Sequence, residues 1–130
     1  IAWTGDGPVL PWIFSSLVVG GWLGVLLAPT AAPWLWASML GAGGVAFPWF
    51  LTQINRRATT VDGTAALSGF AQSTGYLIAI VGPLGVGILH EASGSWDVAV
   101  VVLAVEALLI GILGTWVVRP GTVEDDLARS

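Results

Sequence analysis

From Thr64 to Leu89 the chain carries no charged residue for 26 positions. As a helix rising about 1.5 Å per residue, that is roughly 39 Å, more than the about 30 Å hydrocarbon core of a bilayer. The stretch is not uniformly apolar. It holds Ser68, Gln72, Ser73, Thr74 and Tyr76, then a Gly82-Pro83 pair. A polar, Gly-rich, Pro-interrupted helix inside an apolar chain reads as a helix facing a bundle rather than as a lipid anchor. It also reads as one piece of a larger membrane protein.

Composition supports the membrane class. The chain is 55% hydrophobic and 9% charged, with a mean hydropathy of +0.86. Soluble domains are about 25% charged, and this sequence cannot supply such a surface. The absence of Cys excludes a disulfide framework, a thiolate metal site and a redox pair. The net charge of −4 comes mainly from Glu124, Asp125 and Asp126 and argues against a nucleic-acid partner. The chain opens on Ile1, with no basic stretch or small-residue cleavage site near it. A partial reading frame without a signal peptide is therefore expected.

Four spans follow in order. Residues 1–7 (IAWTGDG) read as polar and flexible. Residues 8–28 form the first span, with Pro8 and Pro11 in its first turn, where proline costs little, and with Gly20 and Gly24 as a small-xxx-small face. A tight Pro29–Pro33 connection makes the next span, 34–54, an antiparallel neighbour. Gly41, Gly43 and Gly44 thin the middle of that span, and Pro48 is expected to kink it. Residues 64–89 are the third span and 96–118 the fourth. The acidic tail, 119–130, is expected to be disordered.

Charge sets an expected orientation. Arg56 and Arg57 lie in the 55–63 loop, Arg119 and Arg129 follow the last span, and the other two connections have no Lys or Arg. The positive-inside rule puts that loop and the C-terminus in the cytoplasm. Trp34, Trp36 and Trp96 then fall at outer boundaries and Trp12, Trp49 and Trp116 near inner ones, as aromatic belts do.

Several residues are candidates for function. Ser68, Gln72 and Tyr76 are spaced four apart and form one stripe on the third helix, beside a stripe of Ala71, Gly75, Ala79, Pro83 and Gly87. In hydrocarbon an unpaired amide is costly, so Gln72 needs a protein or water partner. It either lines a substrate path with Tyr76 or hydrogen-bonds across a helix interface. Pro48 and Gly82-Pro83 each remove a helical hydrogen bond. They are either flexures for conformational change or static kinks that aid packing. Glu106 is the charged residue at the centre of a span, where a carboxylate costs about 2.5–3.5 kcal/mol. It is a candidate for proton coupling, although its helical neighbours are apolar. His90 reads as an interfacial cap at the C-terminal end of the third helix. Arg56 and Arg57 read first as topology determinants. No phosphate loop, zinc spacing or nucleophile elbow is present, so no cofactor, metal or enzymatic activity is indicated.

The run Phe47-Pro48, Arg56-Arg57, Leu67 to Tyr76, Gly82-Pro83 and His90 to Trp96 resembles the tenth and eleventh helices of major facilitator superfamily transporters. The resemblance is to the cyanate/nitroimidazole porter-like branch. It implies an all-α integral membrane fold of four antiparallel transmembrane helices, helices nine to twelve of twelve, forming part of the C-terminal bundle. It implies a plasma (inner) membrane location with the C-terminus cytoplasmic, and alternating-access transport of a small solute, with a small anion such as cyanate as one class. Phe47, Phe50, Gln72 and Tyr76 become cavity residues on this resemblance, and the case for Glu106 weakens. The implied partners are the lipid bilayer, the absent N-terminal bundle and a small-molecule substrate. The start, IAWTGDGP, departs from the basic loop of the family. The alternative is a self-contained four-helix membrane scaffold without transport activity.

Overall fold

The computed structural model describes residues 7–129. The Ile1–Asp6 part of the N-terminal stretch expected to be flexible lies outside the described residues. The elements in order are α1 (Val9–Leu27), α2 (Pro33–Gly43), α3 (Ala46–Arg57), α4 (Val61–Ser93), α5 (Trp96–Val117) and α6 (Val123–Leu127), with no strand among the described residues. The chain is all-α, and four of its segments are helical, long and apolar enough to cross a membrane: Val9–Leu27, Pro33–Arg57, Val61–Ser93 and Trp96–Val117.

Two compact units divide the chain. One comprises α1, α2, the last turn of α4 from Leu89, and α5. Its core is the packing of α1 on α5 and on α2. The α1–α5 contact is antiparallel, because Trp12 meets Gly111 while Ser15 lies at Ala107. The buried residues of α5 are Ala99, Val100, Ala104, Ala107, Gly111 and Gly114. From Val100 they repeat every 3.5 residues on average, the seam period of packed helices. All but Val100 are Ala or Gly, so the two backbones can approach closely, which is how helices associate where lipid supplies no hydrophobic drive. A Cβ built on Gly111 falls 2.6 Å from the Trp12 ring, so any side chain there would push the ring aside. Ser15, 1% exposed, donates from Oγ to the Ala107 carbonyl at 2.9 Å and stitches the seam.

The α1–α2 contact is also antiparallel. Gly20 faces Met39, Gly21 faces Leu40, Gly24 faces the Trp36 ring and Gly43 faces Val18. Gly20 and Gly24, read from the sequence as a packing face, thus both lie against α2. Trp36 Nε1 donates to the Ala28 carbonyl at 2.9 Å and satisfies an acceptor at the end of α1. Pro29 prevents α1 from continuing, and Pro33 opens α2, where its missing N–H costs nothing.

The other unit comprises α3 from Phe47, α4 as far as Ile88, and the tail from Pro120. The second span is interrupted at Gly44–Val45, upstream of the expected kink at Pro48. Pro48 is the third residue of α3 and sits in a first turn whose N–H groups have no helical acceptor anyway. The proline is therefore accommodated by starting a new helix rather than by bending an old one.

α4 is longer than its charge-free core, 33 residues or roughly 50 Å. It takes in Val61–Gly63 and also His90–Ser93, residues read from the sequence as loop. Ser93 Oγ donates back to the Leu89 carbonyl at 2.6 Å and so extends the last turn. Gly94, at φ +67°, then ends the helix in the left-handed region that favours glycine. Ser95 caps α5, its Oγ accepting from the Asp97 N–H at 3.1 Å. The tail, expected to be disordered, contains α6. Thr122 and Asp125 form a reciprocal capping box that organises this five-residue helix.

Candidate polar stripe of the third span

Thr60 starts α4. Its Oγ1 accepts from the Gly63 N–H at 3.0 Å, and its carbonyl accepts from the Thr64 N–H at 2.9 Å. From there the polar side chains run up one helix. Gln72 Nε2 donates to Ser68 Oγ at 2.7 Å. The four-residue spacing thus produces a bond within α4, and the amide nitrogen finds its partner one turn below. Tyr76 continues the line and is 60% exposed.

Ser68 also lines an open groove of about 580 Å³ whose other polar walls are Asn55, Thr59, Thr60 and Thr64. These are hydroxyl and amide groups, able to accept or donate, and the groove lies at the start of α4. Gln72 and Tyr76 are not among its walls. Phe47 is 61% exposed, and Phe50 is half-buried, edge-on to Trp49 with ring centroids 4.9 Å apart. The structure joins Ser68 to Gln72 but does not enclose Phe47, Gln72 and Tyr76, all of which are exposed.

Pro83 lies inside α4 without interrupting it. Gly82 has open space where a side chain would go. Glu106 is exposed on α5, beside the exposed Val105 and Leu109 and off the seam of Ala104 and Ala107. His90 falls in the last turn of α4 and stacks on Trp96, with ring centroids 3.8 Å apart and planes 12° apart. Its Nδ1 is buried without a hydrogen-bond partner. Arg119 sits 5.2 Å over the Trp116 ring, a cation–π contact at the end of α5. No cluster of metal-ligating side chains occurs among the described residues.

Sequence reasoning missed three polar residues. Ser15 is buried in the α1–α5 seam, and Gln53 of α3 is 5% exposed. Glu124 of the tail reaches Thr60, its Oε1 accepting from the Thr60 Oγ1 at 3.0 Å and from the Thr60 N–H at 3.3 Å. A signal existed for the tail, since Thr-Val-Glu-Asp from Thr122 fits the capping-box pattern. Nothing in an isolated Ser or Gln announces which neighbour will bury it.

Comparison with known proteins gives transporters. The chain is 42% identical over 80 residues to the 2-nitroimidazole transporter of Escherichia coli (strain K12), covering 61% of this chain and 20% of that protein. It is 38% identical over 81 residues to the uncharacterized transporter YycB of Bacillus subtilis (strain 168), covering 62% of this chain and 20% of that one. A protein of Thauera aromatica, named provisionally as an anionic 4-hydroxy-benzoate permease, is 38% identical over 104 residues, 79% of this chain and 63% of its own length. The chain thus spans about a fifth of the first two relatives and less than two thirds of the third. No family model matches it, and no solved structure matches it.

Proposed function

We propose that the chain is the C-terminal part of a secondary transporter of the major facilitator type, its four spans corresponding to helices nine to twelve. The observation that carries this reading is the 42% identity over 80 residues to a named transporter, of which the match covers 20%. The exposure of α4 agrees with it. A helix with no buried residue, carrying a hydroxyl–amide–phenol stripe, needs partners to satisfy those groups in a bilayer. The remaining helices of a longer protein would supply them, and the lipid bilayer would cover the apolar faces.

In this reading Gln72 and Tyr76 line the solute path, with Phe47 and Phe50 as apolar walls. The solute is small, and the names of the relatives suggest a nitroaromatic heterocycle or an aromatic carboxylate, with cyanate suggested by the resemblance. The break at Gly44–Val45 with Pro48 after it, and Gly82-Pro83 within α4, are places where spans can bend as access alternates. Glu106 is the carboxylate at mid-span available to a coupled proton.

The orientation proposed is an inner-membrane protein with the 55–63 loop and the C-terminus in the cytoplasm. Arg56 and Arg57 support it. So do the bonds from Arg57 Nη1 to the Gly121 carbonyl, 3.3 Å, and from Thr60 to Glu124, because groups so joined share one side of the membrane.

The test is uptake by the full-length protein in proteoliposomes, with 2-nitroimidazole, 4-hydroxybenzoate and cyanate as solutes. Saturable uptake of at least one is expected. Its absence for all three, in protein shown to be folded, overturns the solute assignment. Saturable uptake by the 130-residue chain alone overturns the view that it is one part of the carrier.

A further inference from the structure

The tail after α5 is acidic and short, yet it is held in place. Gly121 turns the chain at φ +135°, and the Thr122–Asp125 capping box sets up α6. A helix of five residues does not persist in water on its own, because helix nucleation is costly. What it docks against is the start of α4. Glu124 Oε1 accepts from both the N–H and the hydroxyl of Thr60, and Thr60 is the residue whose Oγ1 caps the first turn of α4. Arg57 Nη1 donates to the Gly121 carbonyl on the same side. The arrangement places a carboxylate at the positive end of a 33-residue helix.

Two details show that this contact is fitted. A Cβ on Gly63 would collide with Glu124 Oε1, so the absence of a side chain at 63 makes room for the carboxylate. The second oxygen, Oε2, is shielded from solvent and has no hydrogen-bond partner. The carboxylate is therefore seated in a close-fitting site. The bonds from Thr60 to Glu124 and from Arg57 to Gly121 lie at the surface. Such a contact can open without unfolding anything else.

We propose that the C-terminal tail is a latch on the start of α4, with Glu124 as the bolt and Thr60 as the catch. Latched, the tail fixes the first turn of the helix that carries Ser68, Gln72 and Tyr76. Released, it frees that turn and the 55–63 loop to move. The consequence for transport rests on the carrier reading above, whereas the contact itself does not.

Hydrogen exchange of the reconstituted full-length protein, read over residues 58–66, tests the contact. Glu124→Ala is expected to raise exchange of the Thr60 and Gly63 amides about tenfold, the scale of losing a hydrogen bond to a charged group. Gly63→Ala should do the same with Glu124 intact, by displacing the carboxylate. Asp126→Ala removes an equal charge from the same tail and should leave that exchange unchanged. Unchanged exchange in both Glu124→Ala and Gly63→Ala overturns the latch, as does an equal rise in Asp126→Ala. Solute uptake by the same variants tests the gating role. Glu124→Ala should alter the turnover rate severalfold with KM preserved. Raised exchange with unaltered turnover overturns gating. If the unmutated protein takes up no solute, the carrier reading fails and gating with it, and exchange alone decides the contact.

Discussion

α5 and α4 are both long and apolar enough to cross a bilayer, and both carry small residues at helical spacing, but only α5 has used them. Six residues of α5 are buried, five of them Ala or Gly, and α1 lies against that seam. No residue of α4 is buried, and side chains built on Gly69, Gly75, Gly82, Gly85 or Gly87 would meet nothing within 4 Å. Small residues permit a backbone to approach without saying which one. On α5 the approach is realised within the chain. On α4 it is left open, next to a polar stripe whose groups lipid cannot satisfy.

The largest expected effect comes from wedging the two faces apart. Gly111→Leu drives a side chain into the Trp12 ring and should destabilise the detergent-solubilised chain by about 1–3 kcal/mol, the usual cost of overpacking. Gly75→Leu has open space and should change stability by no more than about 0.5 kcal/mol. On the proposed carrier reading, in which further helices pack on this face, Gly75→Leu should impair uptake by the full-length protein. Equal destabilisation of the isolated chain by both variants, measured by thermal or denaturant unfolding, would erase the distinction between the helices.

A smaller contrast separates the two polar bonds. Ser15→Ala removes a buried bond between helices and should cost about 0.6 kcal/mol, up to roughly 1.7, as interhelical bonds do in membranes. Gln72→Ala removes an exposed bond within one helix and should cost only about 0.2–0.5 kcal/mol. On the proposed carrier reading its effect belongs in transport. Substrate affinity or rate should change in the full-length protein, and unchanged kinetics would reduce Gln72 to a helix-surface residue.

The same contrast explains what was legible in the sequence. The uncharged run between Pro8 and Pro29 and the apolar run from Trp96 to Val118, which holds only Asp97 and Glu106 as charges, pointed to α1 and α5, since lipid leaves the backbone few options. The four-residue step from Ser68 to Gln72 was legible because it is local. The break in the second span was not placed correctly, since a proline can be absorbed either by a kink or by a new helix start. Gly44–Val45 allowed the latter at Pro48. The end of α4 was missed because the polarity of His90–Ser93 suggested loop, whereas the Ser93–Leu89 bond and the left-handed Gly94 set the end. The Glu124 contact joins residues 64 apart in sequence, and charge counting alone favoured a loose tail. Whether Phe47, Phe50, Gln72 and Tyr76 surround a solute depends on neighbours that local pattern does not encode.

The smallest expected effect is on pH dependence, and it again distinguishes two parts of α4. The carboxyl of Glu124 is held below the usual carboxylate value chiefly by its own backbone N–H. Partial burial opposes this, and the Thr59 N–H and the Thr60 hydroxyl and N–H reinforce it. A carboxylate with a depressed pKa adds stability that is fully present above its unfolded value and is lost as pH falls through the folded one. The tail contact should therefore hold at neutral pH and loosen only below the ordinary carboxylate range. The Ser68–Gln72 bond contains no titrating group and should not respond. The chain lacks cysteine, so a fluorophore at Ala128→Cys reports on the tail alone in the isolated chain. Its anisotropy should stay flat from about pH 8 to about pH 5 and fall below that. Asp62, Asp125 and Asp126 are further carboxylates of the same region, so Glu124→Gln identifies the source by abolishing the step. A step that persists in Glu124→Gln would remove Glu124 from the acid response.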